Sequence, residues 1–144
     1  SLTADTTLTV DAHAGKILLC NDADGKFTLP SIVSTTPSDP TDPNQTNNIG
    51  ATFHFYIETA ATDLDIKTDG TDKFKGAILI AVDDGAKKAF VPAATNDVIT
   101  MNGSTKGGIV GSIVSFTAID TATYLVNSSL LIGSGTIVTP YADA

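Results

Sequence analysis

Turn residues break this chain into short pieces, and that punctuation limits its fold more than any other feature. Clusters of Asp, Asn, Gly, Ser and Thr recur about every 8–12 residues, the spacing expected of a β-sandwich or barrel. No segment between them sustains the 3.6-residue apolar period of a helix. The clearest strand is Ala51–Glu58, where Phe53, Phe55 and Ile57 alternate with Thr52, His54, Tyr56 and Glu58. Thr7–Val10 and Asp63–Lys67 alternate in the same way, with Thr68–Asp72 as a turn. Lys16–Cys20 and Lys26–Pro30 flank the turn cluster Asn21–Gly25 and read as a hairpin. Gly76–Val82 reads as a strand buried on both faces, turned by Asp83-Asp84-Gly85 into Lys87–Val91. Asp97–Met101 runs into the hairpin dipeptide Asn102-Gly103. Ile109–Ile119 and Tyr124–Val126 form a last hairpin over Asp120–Thr123.

Ser34–Gly50 differs from the rest. Pro37, Pro40 and Pro43, with Asp, Asn and Thr among them, hold neither a ladder nor a helix. It reads as a long exposed loop inserted into one sheet system. The expectation is therefore an all-β chain. Residues 1–144 make a single compact β-sandwich or β-barrel-like domain with a long Pro-rich loop at 34–50. Residues 1–10 would be an N-terminal arm and 133–144 a C-terminal tail.

Composition then removes whole classes of function. The 144 residues carry a net charge of −8, 22 Thr and no Arg, so all eight cations are Lys. Binding to a phosphate backbone or an anionic membrane draws on clustered Lys and Arg, so neither partner is expected. The single cysteine, Cys20, leaves no intrachain disulfide and no Cys-based zinc site; amid Ile17-Leu18-Leu19 it reads as a buried thiol. The opening Ser1-Leu2-Thr3-Ala4-Asp5 shows no secretory leader, so three Asn-x-Ser/Thr matches are expected to stay unused. No apolar run is long enough for a membrane helix.

The motifs that could carry chemistry fall short one by one. Asp22-Ala23-Asp24-Gly25 begins like a calcium loop but lacks the third acid and the closing Glu. A loose cation site from Asp63, Asp65, Asp69 and Asp72 is the weaker reading beside an ordinary turn. His13 and His54 have no spacing that joins them to a carboxylate as zinc ligands. Ile119-Asp120-Thr121-Ala122 has one Asp where aspartic-protease chemistry needs two sharing a proton. Gly103–Gly108 is not a P-loop, and Leu131–Gly135 is not a nucleophile elbow. No catalytic set, cofactor site or metal site is expected, and function is assigned to surfaces.

The order of pieces resembles the capsid decoration, or cement, proteins of tailed bacteriophages. The resemblance rests on Ala14–Leu19, Asn21–Gly25 and Thr28-Leu29-Pro30, then Gly50–Phe55 and Phe74–Leu79. It continues through Asn102–Gly108, Gly111-Ser112, Gly133–Thr136 and Thr139-Pro140-Tyr141, and departs at Tyr124, where Trp is expected. It implies a non-enzymatic virion protein, made in the host cytoplasm, that binds the outer capsid surface and clamps neighbouring major capsid subunits. It also implies a homotrimer. The alternative is a phage tail or fibre module, or a receptor-binding β module. Arms can add strands to a partner's sheet edge. Partner contact is accordingly placed on Leu2, Thr3, Leu8 and Val10, and on Thr139, Pro140 and Tyr141. The missing Arg fits a place outside the shell, away from packaged DNA.

Overall fold

The computed structural model describes residues 1–34 and 47–144, and among these it is nearly all β. Two sheets pack face to face without closing into a barrel, so the architecture is a β-sandwich. The smaller sheet runs β1 (Thr6–Thr7), β3 (Lys26–Thr28), β5 (Leu64–Lys67), β9 (Val98–Met101) and β12 (Tyr141–Ala142). The larger runs β2 (Ile17–Cys20), β4 (Thr52–Ile57), β10 (Ile113–Ala118), β11 (Thr123–Ile132), β7 (Ile78–Ala81) and β8 (Lys87–Phe90). β6 (Lys73–Lys75) lies beside the first residues of β11.

Alternation decides which side chains enter the core. In β4, Phe53, Phe55 and Ile57 are buried while Thr52, His54 and Tyr56 are half-buried on the other face. Phe27 of the small sheet stacks on Phe55 of the large one, ring centroids 6.4 Å apart, tying the layers together. Phe116 meets both Phe55 and Phe74, and Phe53 meets Tyr124 edge to face. Cys20 is fully buried as expected, and burial pushes its thiol up to about 12.

Several expectations change. β2 and β3 are not a hairpin: β2 pairs in parallel with β4, and β3 in parallel with β5 in the opposite sheet. The Asp24-Gly25 segment bends the chain across the sandwich, and its backbone is held by β5's approach, where Thr62 N–H donates to Ala23 O. Nor does Asn102-Gly103 join two paired strands, because β9 pairs with β5 and β12. Asn102 Oδ1 instead accepts the N–H groups of Ser104 and Lys106 and closes a local loop. Thr7–Val10 is not one strand. Thr9 Oγ1 accepts Ala12 N–H and caps the four-residue helix α1 (Val10–His13). β7 buries Ile78 and Ile80 completely but leaves Leu79 and Ala81 half-buried, because nothing described covers its outer face. The β7–β8 and β10–β11 hairpins form as read, although β11 continues to Ile132.

Neither end of the described chain is a free arm. Leu2 N–H donates to Leu19 O and Leu2 O accepts from Asn21 N–H, which covers the edge of β2, while β1 pairs with β3. The segment 1–10 therefore laces one side of both sheets. At the other end β12 pairs with β9, and Tyr141 hydroxyl donates to Gly76 O at 3.0 Å. Of the loop 34–50, residues 35–46 lie outside the described residues. Its flanks are held: Tyr124 hydroxyl donates to Pro30 O, Ser31 Oγ to Asp69 Oδ2, and Ile32 N–H to Asp72 Oδ2. Asn48 joins the two flanks, accepting from Val33 N–H and donating to Ser31 O.

Candidate binding face

The outer face of the large sheet follows from the same alternation that fills the core. Every residue that turns Phe53, Phe55, Val114 or Phe116 inward turns its neighbour outward. Register aligns those outward residues into rows across four strands. One row is Leu19, Tyr56, Ile113 and Leu130; the next is Ile17, His54, Ser115 and Ser128. A third is Thr52, Thr117 and Leu125. None of these eleven residues is charged. Ile17 is 72% exposed, Leu130 43% and Ile113 40%. A chain of net charge −8 thus presents an uncharged, partly apolar face four strands wide.

A β-bulge shapes the middle of this face. The β10–β11 register shifts between Ser115 and Phe116, which leaves Asn127 as the extra residue in β11. Asn127 Nδ2 donates to Thr117 Oγ1 at 2.6 Å, and His54 Nδ1 meets Ser115 Oγ at 2.9 Å. The result is an open groove of about 600 Å³ lined by Ile17, His54, Tyr56, Ser115, Asn127 and Ser128. It offers hydroxyl, amide and imidazole groups against aliphatic surface, a chemistry of docking rather than bond making.

The residues expected to touch partners sit elsewhere and are not brought together. Leu2, Leu8, Pro140 and Tyr141 are buried, and Val10 is half-buried against the core. Their side chains belong to this chain's own interior, because a small sandwich needs the apolar residues of its edge strands to complete its core. Thr3 and Thr139 are exposed. Sequence reasoning missed Ile17, Ile113 and Leu130 as surface residues; Thr52, His54 and Tyr56 had a visible signal, their alternation with the phenylalanines of β4.

The other sequence candidates have local partners. Lys26 bridges Asp63 and Asp65, each at 3.0 Å, whereas Asp69 and Asp72 hold Ser31 and Ile32, so the four acids do not form one cluster. No group of three or more His, Cys, Asp or Glu among the described residues is arranged to hold a metal ion. Asp120 Oδ1 accepts Ala122 N–H in the β10–β11 turn. Thr9 N–H donates to His13 Nδ1, on an element separate from His54. Asp97 is paired with Lys73 at 2.6 Å. Burial alone would raise its carboxyl, but Lys73 and the N–H of Ala144 outweigh it and hold it below the usual range. Burial and the nearby carboxylates of Asp69 and Asp120 push Asp72 the other way. No described helix is long and apolar enough to cross a membrane. No known protein family, curated protein or solved structure matches this chain.

Proposed function

We propose that this chain is a non-enzymatic virion protein that binds the outside of a phage capsid and stabilises contacts between major capsid subunits. The observation that carries this reading is the uncharged face built on β2, β4, β10 and β11, with Ile17, Ile113 and Leu130 exposed in one patch. Burying such a face against another protein removes apolar surface from water and leaves no charge unpaired. A homotrimer would repeat that modest contact, so that weak interfaces combine by avidity. The resemblance in turn motifs supplies the capsid as partner and the outer surface as the place.

The test is cosedimentation with purified expanded capsids. Wild-type protein binds and raises the capsid melting temperature, while Ile113→Asp, which places a charge in the middle of the face, lowers binding at least tenfold. Failure of the wild type to bind capsids would remove the reading. A second reading is a receptor-binding module of a tail or fibre, favoured by the groove of His54, Tyr56, Asn127 and Ser128, whose neutral hydrogen-bonding groups suit a glycan. Binding to host cells or glycan arrays without capsid binding would select it.

A further inference from the structure

The sheet edges are not closed alike. The edge of β2 is covered by Leu2, and the edge strands β1 and β12 of the small sheet are two residues long. β8 is four residues long and, among the described residues, pairs only with β7. The direction of its free backbone groups follows from the hairpin. Val82 N–H donates to Ala86 O at 2.9 Å, and the register continues as Ala81↔Lys87, Ile80↔Lys88, Leu79↔Ala89 and Ile78↔Phe90. Bonded and non-bonded pairs alternate along an antiparallel ladder. Lys88 and Phe90 therefore spend their peptide groups on β7, and Lys87 and Ala89 turn theirs outward. Both of those residues are exposed, and Val91 just beyond them is 75% exposed.

Charge decides what such an edge accepts. Lys87-Lys88 is the only pair of adjacent lysines in a chain of net charge −8. Lys75 lies with Gly76, Val91 and Pro92 on a groove of about 660 Å³ at the end of the edge. Neither Lys87 nor Lys75 has an ion-pair partner among the described residues. Lysines on an edge deter pairing with a second copy, since that would crowd four of them onto one ribbon. The same charges favour a strand that brings carboxylates. Asp83 and Asp84 in the preceding turn oppose acids only at the far end.

We propose that β8 is a strand-addition site for an extended acidic segment of a partner protein, paired through the outward peptide groups of Lys87 and Ala89 and selected by Lys75 and Lys87, whereas Lys88 Nζ donates to Ile137 O at 3.2 Å. β8 lies apart from the uncharged face, which Lys75 borders as the neighbour of Leu125, and the proposal does not depend on the partner being a capsid. The test uses an eight-residue synthetic peptide alternating Val or Thr with Asp, and its counterpart with Lys in place of Asp. In amide hydrogen exchange on the full chain, the acidic peptide slows the Lys87 and Ala89 amides at least tenfold. It binds at least tenfold tighter than the Lys peptide and weakens as salt is raised. Ala89→Pro removes an outward N–H without taking a bond from the β7 ladder and abolishes binding; Lys87→Glu, which leaves every peptide group in place, weakens it at least tenfold. Equal affinity for the two peptides, no protection at millimolar acidic peptide, or unchanged binding by a folded Ala89→Pro or Lys87→Glu variant would each overturn the proposal.

Discussion

Single side chains divide here into those that hold the fold and those that strain it. Asp97 and Asp72 are both nearly buried, at 5% and 3% exposure, yet they act with opposite sign. The carboxyl of Asp97 is lowered, so its stabilisation is present above the ordinary Asp range near pH 3.9 and is lost as pH falls through the lowered value. That of Asp72 is raised, so its contribution is present at low pH and lost as pH rises through the raised value. At pH 7, Asp97→Asn is expected to lower the melting temperature. Asp72→Asn, which keeps an acceptor for Ile32 N–H, is expected to raise it; calorimetry at pH 7 and pH 3 checks both, with the differences shrinking at the lower pH. Ser129 Oγ is buried without a partner among the described residues, because the bulge at Asn127 turns Ser129 inward opposite Val114. Ser129→Ala is expected to stabilise the protein by about 1 kcal/mol in urea unfolding, the order of cost of an unsatisfied hydroxyl. Gly103 sits at φ +67°, and a Cβ there would collide with Ala61 O, so Gly103→Ala is expected to destabilise despite the higher intrinsic propensity of Ala.

At the scale of elements, legibility followed the range of the interaction that forms each one. The inward set of β4, Phe53, Phe55 and Ile57, was visible because alternation is a property of consecutive residues. The β7–β8 and β10–β11 hairpins were visible because a tight turn and its two strands are contiguous. The pairing of β2 with β4 and of β3 with β5 was not, since parallel partners are joined by chain that crosses to the other sheet, and a turn dipeptide marks a bend without naming the next neighbour. Thr9 illustrates a local competition that alternation hides: its hydroxyl caps α1, and the strand ends at Thr7, three residues before Val10. Phe116 packs on both Phe55 and Phe74 in the large sheet, so Phe116→Ala is expected to cost about 3–5 kcal/mol by denaturant unfolding.

On the scale of the whole molecule, the two sheets enclose an aromatic core, and the outward residues of β2, β4, β10 and β11 make an uncharged face. Alternation and turn chemistry determined from sequence alone that the chain is all β, which residues of β4 face the core, and that Cys20 is buried. Composition set a net charge of −8 with no Arg, features that no folding event changes. Tertiary structure decided the rest. It chose a sandwich over a barrel, and it placed Leu2, Leu8, Pro140 and Tyr141 among the buried residues. It also aligned Leu19, Tyr56, Ile113 and Leu130 into one row from strands far apart in the chain. The reason is physical: side-chain alternation is set within a strand, whereas a face is made by register between strands, and register depends on which edges meet when the core closes.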